Sequence, residues 1–341
     1  MKTLDKIDNV KNNIWNIGNN IIILKDKTLI NLDNKNVLNY ENDVNRCFYS
    51  NNYIYLIKKD VLIILNGDFN ILNTIKQNDA TGLSVFDENN YAIWFENEDG
   101  DEYFHLYKEN KEEGTSDFFF GKFLNANYSY RFRTRKQKNL FKLSNLLDTH
   151  TYFEYQCEPG EEVMGDIINY KENLIFYTRE IEKELYDSKF WINVLDIKTG
   201  KTIYKILTEH YGACFDYQKG LFISIQGSNQ NNEIIKKYEI VDVNNGTVEK
   251  NFFDFDQEMF AVGTAVQYIN DNKLYFADNV YSYEEQKRKC PKIGSFDLTT
   301  RQISFFEELK EAEGYSVNQI IVKENRLYAK IDNDELIVLE I

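Results

Sequence analysis

Short runs of aliphatic and aromatic residues, each entered through asparagine, recur from one end of the chain to the other. The signature is Asn, any residue, an aliphatic residue, then an aromatic or aliphatic one. It stands at Asn52-Tyr53-Ile54-Tyr55, Asn90-Tyr91-Ala92-Ile93, Asn173-Leu174-Ile175-Phe176, Asn272-Lys273-Leu274-Tyr275 and Asn325-Arg326-Leu327-Tyr328. Weaker copies begin at Asn20, Asn127 and Lys219. Apolar runs this short, rich in Ile, Tyr and Phe and bounded by turn residues, predict strands. Asparagine tolerates left-handed backbone, which suits a tight turn feeding the strand.

After each copy a second apolar run ends in a turn of its own. The clearest is Leu195-Asp196-Ile197-Lys198-Thr199-Gly200-Lys201-Thr202-Ile203-Tyr204; relatives begin at Val241 and Phe296, with earlier forms at Leu32-Asp33-Asn34-Lys35-Asn36 and Leu65-Asn66-Gly67-Asp68. Aspartate can close an Asx-turn, and Gly or Asn supplies the positive φ of a hairpin. The unit therefore reads strand, hairpin, strand, Asp/Gly turn, strand. Fixed-period self-similarity of this kind is the mark of a repeat architecture.

These turns and strands resemble the blades of PQQ-like (quinoprotein-type) and WD40-like β-propellers, in which a Leu-Asp-x-x-Thr-Gly-Lys turn links the third and fourth strands. Tyr204 stands where many PQQ-like repeats carry tryptophan. The resemblance implies an all-β, single closed β-propeller of four-stranded blades spanning residues 1–341. The copies are spaced 32, 38, 37, 46, 46, 53 and 53 residues apart, which predicts eight blades. Seven is the alternative if residues 102–134 are an insertion within one blade. The chain stops after Leu327–Lys330 and Glu335–Glu340, so the last blade needs an outer strand, and residues 2–8 are expected to supply it. Extra length falls at Thr178–Lys189, Gly227–Glu233, Tyr281–Lys289 and Phe306–Gly314, all read as connections. Glu180–Tyr186 and Glu307–Glu313 have helix-favouring composition.

Composition supports a large core: 43% of residues are hydrophobic and 15% aromatic, including 24 Tyr and 24 Phe. The formal net charge is −15, with a pI near 4.8. An acidic surface disfavours nucleic acid and anionic membranes as partners and is compatible with a basic one. The first residues lack the pattern of a signal peptide, and no stretch approaches the roughly 18 apolar residues of a membrane span. The four cysteines, Cys47, Cys157, Cys214 and Cys290, are far apart, so neither structural zinc nor a disulfide framework is indicated. A cytoplasmic setting is the expectation.

Chemistry-bearing residues are sparse. Glu96–Glu102 is the densest acidic run, but its spacing is not that of a calcium loop, and it reads as a hairpin tip between Trp94 and Tyr103. Arg131, Arg133 and Arg135 alternate within a basic stretch. They form the candidate binding residues for a carboxylate, phosphate or acidic partner, beside the plainer reading of a solvated strand face. His105, His150 and His210 have no metal spacing, and Cys214 reads as a buried, inert thiol. Trp15, Trp94 and Trp191 are either core or a carbohydrate-stacking face. No catalytic, cofactor or metal set is expected, so the function read from the residues is a non-catalytic module that recognises a protein partner through rim loops or the channel mouth. A bacterial accessory or toxin-neutralising protein is a narrower form of it, suggested by Asn-, Lys- and Ile-rich usage. The alternative is a hydrolase- or lyase-type enzyme with its site at the central channel.

Overall fold

The structure is a computed structural model that describes residues 1–40, 44–50, 52–76, 80–86, 89–99, 102–117, 121–124, 127–132, 138–145, 151–181, 188–209, 211–230, 233–257, 259, 261–262, 266–282 and 286–341. The described residues form eight sheets with a four-strand antiparallel path, here called blades 1–8 with strands a (inner) to d (outer), and one separate two-stranded sheet. Every copy of the Asn signature enters a strand b. These strands are Asn20–Lys25, Tyr53–Lys58, Tyr91–Glu96, Tyr128–Phe132, Asn173–Glu180, Leu221–Gln230, Lys273–Asp278 and Arg326–Ile331. Strands b are apolar almost throughout because both faces of a blade are covered by neighbours: in Asn20–Lys25 and Tyr53–Lys58 the four central residues are all buried. Asn52 and Asn272 adopt φ of 68° and 63°, as the turn reading requires.

Residues 102–117 are not an insertion. Glu102–Lys108 and Lys111–Asp117 are strands c and d of blade 3, and a three-residue strand a, Gly121–Phe123, opens blade 4. In blade 8 the path is Val317–Lys323, Arg326–Ile331, Leu336–Glu340 and then Lys2–Ile7. The last of these runs antiparallel to Leu336–Glu340, Lys2 opposite Glu340 and Ile7 opposite Leu336. The two ends of the chain thus share one sheet, which covers an edge that would otherwise stand open.

The chain divides into two compact units. One comprises Met1–Ile14, Lys189–Ile192 and Tyr204–Ile341; the other comprises Trp15–Ser188 and Asn193–Ile203. In each, the core lies between adjacent blades. In the first unit, Ile223, Ile225 and Tyr238 of blade 6 pack with Leu274, Phe276 and Phe296 of blade 7. In the second, Tyr55 and Ile57 of blade 2 pack with Tyr91 and Ile93 of blade 3. Among the described residues no helix is long and apolar enough to cross a membrane.

The c–d turns of blades 1, 5, 6 and 7 share a hydrogen-bond plan built on an Asp or Asn side chain. Asp196 Oδ1 accepts the N–H groups of Lys198 (3.1 Å) and Thr199 (2.7 Å), while the Gly200 N–H returns to the Asp196 carbonyl (2.8 Å). Asp297 with Arg301 repeats it; at Asp242 the Asn244 N–H and the Gly246 N–H take the same places, while the Asn245 side-chain amide donates to Asp242 Oδ2 at 2.8 Å. The Thr199 hydroxyl at Asp196 and the Thr300 N–H at Asp297 hold these carboxyls below their ordinary range. In blade 1 the anchor is Asn31 rather than the expected Asp33: Asn31 Oδ1 accepts from Asp33 and Asn34, and Asp33 instead accepts the Ile21 N–H at 2.6 Å. The fifth residue of each plan is left-handed, with φ of 73° at Gly246, 60° at Arg301 and 64° at Lys35.

That fifth position also meets the preceding blade. A Cβ on Gly246 would sit 2.5 Å from the ring of Tyr204 on strand 5d (Thr202–Thr208), the tyrosine that replaces the repeat's tryptophan. At blade 7 the fifth residue is Arg301. Its guanidinium instead forms a two-point ion pair with Glu249 on strand 6d (Thr247–Phe252), at 2.6 and 2.5 Å, and lies 5.8 Å over the Tyr238 ring.

Two expectations differ from the structure. Within the expected connection Gly227–Glu233, Gly227–Gln230 and Glu233 are strand: strands 6b and 6c are ten residues each and pair from Leu221 opposite Asp242 to Gln230 opposite Glu233, and residues 231–232 lie outside the described residues. Helix in Glu307–Glu313 is confined to one 3₁₀ turn, Lys310–Ala312; most of Glu180–Tyr186 lies outside the described residues.

Gly246→Ala should lower stability by about 1–3 kcal/mol, combining left-handed strain with overpacking against Tyr204. Gly314→Ala has φ of 84° but nothing within 4 Å, so it should show the smaller, conformational part alone. Urea denaturation of the two variants checks the difference.

Candidate functional site

In an up-and-down blade the a–b and c–d connections leave one end of the sheet, and the b–c and d–a connections leave the other. At the first end the described turns at Asn31, Asn66, Asp196, Asp216, Asp242 and Asp297 have Asx oxygens occupied by backbone N–H groups. The second end carries the added length, concentrated in the unit that holds blades 6–8. Loops on a rigid scaffold are where recognition residues collect.

The connection from blade 6 to blade 7 alternates buried and exposed residues. Phe253 is buried and lies 5.7 Å from the Phe296 ring, Phe255 meets Phe306 edge-on at 5.4 Å, and Asp254 and Asp256 are exposed. Further along, Ala261–Val262 pairs with Ser228 and Gly227, and Met259 is fully buried against the same hairpin. A Cβ on Gly227 would approach the Met259 Cβ to 2.6 Å, so only glycine admits this packing. The strand extension of blade 6 is therefore a platform for the connection.

The b–c connection of blade 7 forms a small hairpin, Tyr281–Ser282 with Lys287–Arg288. Asp332, in the b–c turn of blade 8, fastens it. The Arg288 guanidinium donates to Asp332 Oδ2, the Ser316 N–H donates to Oδ1 at 3.2 Å, and the Asp332 N–H returns to the Ser316 carbonyl at 3.0 Å. Asn279 completes the tie: its side-chain amide donates to the Val317 carbonyl (3.0 Å) and accepts the Val317 N–H (2.8 Å). Three connections are thereby held together, and Tyr281 and Tyr315 stand on them 45% and 44% exposed. Tyrosine gives large, rigid contact area with a polar tip, the property that enriches it at interfaces.

Two buried carboxylates bear on this end: Asp278, 0% exposed, closes strand 7b just before Asn279, and Glu239 on strand 6c is 3% exposed. The Thr208 hydroxyl donates to one oxygen of Glu239 and the Glu209 N–H to the other at 3.0 Å. Burial raises its pKa. Both oxygens are engaged by the blade 5 to 6 connection, so Glu239 is a tie for that connection and not an open acid. Glu209 itself is pulled down to about 2 by hydrogen bonds from Lys237 and Lys250, 2.7 and 2.9 Å away.

The remaining candidates stay apart. Arg131 lies on strand 4b, opposite Gly121 and Lys142; Arg133 and Arg135 lie outside the described residues, as do His150 and His210. His105 Nδ1 sits 3.0 Å from Glu112 within blade 3. Glu96 and Glu102 face each other across the expected hairpin. None of the cysteines is in a disulfide; burial pushes Cys47 and Cys214 up to about 12 and Cys290 to about 11, far from a reactive thiolate. Trp15 is buried beside Tyr49, Trp94 donates to Ser84 Oγ at 2.9 Å, and Trp191 lies under the Lys205 ammonium, so each tryptophan serves packing near its own blade. Among the described residues no group of three or more His, Cys, Asp or Glu could hold a metal ion.

The chain is thus an eight-bladed, all-β propeller of four-stranded blades. No family model matches it, and no curated protein sequence does. Among solved structures it is similar to BamB from Moraxella catarrhalis, at 10% identity and a TM-score of 0.52 over 99% of each chain. It is also similar to the Dos1 propeller, at 8% identity and a TM-score of 0.54, covering 99% of this chain and 94% of that one. At these identities the likeness is one of fold.

Two outcomes follow. Asp332→Ala should free the Tyr281–Arg288 hairpin, and limited trypsin digestion should then cut at Lys287–Lys289 faster than in the parent. Glu209 has a folded pKa below its ordinary 4.5, so its contribution is complete above that value and is lost as pH falls toward about 2. For Glu239, raised by burial, the contribution is present at low pH and lost as pH rises through its folded pKa. Denaturation midpoints across pH 2–7 should therefore fall less steeply at the acid end in Glu209→Gln, whereas Glu239→Gln should gain most, relative to the parent, near neutrality.

Proposed function

We propose that this propeller is a non-catalytic binding module that recognises a protein partner through the b–c and d–a connections of blades 6–8. The observation that carries the reading is the tie of three connections through Asp332 and Asn279, which presents Tyr281 and Tyr315 on a preorganised surface. Preorganisation lowers the ordering cost of association, and aromatic side chains are the usual anchors of an interface.

A basic partner is the favoured chemistry. Net charge supports it, and so does the disposition of carboxylates. At the turn end Asp196, Asp242 and Asp297 are engaged as Asx anchors, whereas Asp254 and Asp256 are exposed on a connection whose Phe253 is buried and Phe255 half-buried. Nucleic acid and anionic membranes are disfavoured on the same charge. Cytoplasmic residence, and the narrower role of a bacterial accessory or toxin-neutralising protein, rest on composition alone.

The test is capture from the source organism with the tagged parent and with Tyr281→Ala/Tyr315→Ala, compared by quantitative mass spectrometry. A stoichiometric protein recovered by the parent and depleted at least about tenfold by the double variant, the loss of a single good hot spot, is expected. Failure to recover any stoichiometric protein, or equal recovery by both, would contradict the reading.

A further inference from the structure

Strand d of every blade presents an outer edge, and an exposed edge with apolar side chains is a template for pairing with another chain. Three outer strands answer this in the same way. In strand 6d, Asn251 Oδ1 accepts the N–H of Phe252 at 2.9 Å. In strand 2d (Ile71–Lys76), Asn73 Oδ1 accepts the N–H of Thr74 at 2.8 Å. In strand 8d (Lys2–Ile7), Asp5 Oδ1 accepts the N–H of Lys6 at 2.9 Å.

Register shows that each of these N–H groups points away from its sheet. The Phe253 N–H donates inward to the Lys236 carbonyl, so the alternation of a strand turns the Phe252 N–H outward. The Asn66 N–H donates to the Asn70 carbonyl across the 2c–2d turn. Ile64 therefore faces strand 2d and its partner Asn73 faces inward, leaving Thr74 outward. The Ile341 N–H donates to the Asn325 carbonyl, so Val338 faces strand 8d; Asp5 opposite it faces inward and Lys6 outward. In all three strands the Asx occupies an inward-pairing position and bends its side chain over the next, outward donor. At Asn73 the side chain is held in place by a second bond, its amide donating to Asn110 Oδ1 at 2.8 Å.

Each capped strand also carries exposed apolar side chains. Phe252 is 72% exposed, and Leu4 and Leu72, each two residues before a covered donor, are 42% and 45% exposed. Leu4 and Leu72 are the extra residues at the register shifts of strands 8d and 2d, so an added strand would find apolar surface at the bulge beside the blocked donor.

We propose that Asp5, Asn73 and Asn251 are edge caps that keep this chain from pairing, outer strand to outer strand, with a second copy of itself. Covering the donor removes a hydrogen bond that the added strand would need while leaving the fold's own ladder intact. It lets the outer strands carry Leu and Phe without joining molecules.

The test uses the full chain and the triple variant Asp5→Ala/Asn73→Ala/Asn251→Ala. Hydrogen exchange should quicken about fivefold at Lys6, Thr74 and Phe252, the loss of one ordinary hydrogen bond each. Sedimentation velocity should show a monomeric parent and a triple variant that associates with rising concentration. Adding Phe252→Lys, a charge on the edge, should return at least part of the monomer. If the triple variant does not fold, Asn251→Ala alone is read at Phe252 and by sedimentation. Unchanged exchange at these amides, a variant that exchanges faster yet stays monomeric, or a parent already associated through these edges would each overturn the proposal.

Discussion

In blades 1, 5, 6 and 7 an aspartate or asparagine oxygen accepting a backbone N–H two residues ahead is the contact on which the blade-to-blade packing turns. It closes the c–d hairpin, forces the fifth residue into left-handed backbone and so decides what that residue can be. Where it is Gly246, an aromatic ring from the preceding blade lies directly on the backbone. Where it is Arg301, a longer side chain reaches back to the same neighbour through Glu249. One local bond thereby sets both the turn and the distance between adjacent blades, and the apolar b strands fill the space between them.

The same chemistry explains the difference between the two ends of each blade. Asx side chains consumed in turns have little left to offer a partner. The other end has no such rule, and its connections are free to lengthen, provided something holds them. Asp332, Asn279, Glu239 and Met259 are those holdfasts, and each ties a connection to the blades rather than facing outward. Asx oxygens appear a third time on the outer strands, where they cover donors instead of closing turns. A chain this rich in asparagine uses one short, polar side chain for turn, tie and edge.

The strand seeds were legible because asparagine and the apolar run it feeds are local signals. All eight copies enter strands b, and the short spacing at Asn127 still accommodates a strand a at Gly121–Phe123. Asp33 was misread because the Asx plan is counted from the residue that accepts, and in blade 1 that residue is Asn31, one position before an equally plausible aspartate. Gly227–Glu233 reads as a connection because it falls in the extra length between successive copies. Pairing with strand 6c and with Ala261–Val262 overrides that reading, and no local pattern records it. The surface at Asp332 was not legible for the same reason: Arg288, Ser316 and Asp332 are brought together only by the blades. The basic stretch drew notice by composition, yet Arg131 lies on strand 4b opposite a lysine.

The central claim is that recognition belongs to the long-connection end of blades 6–8. Hydrogen–deuterium exchange of the propeller alone and with its captured partner tests it most directly. Protection confined to residues 253–257, 279–282, 286–291 and 309–316, with the turns at Asp196, Asp242 and Asp297 unchanged, is the expected footprint. Protection at those turns with the connections unchanged would contradict it.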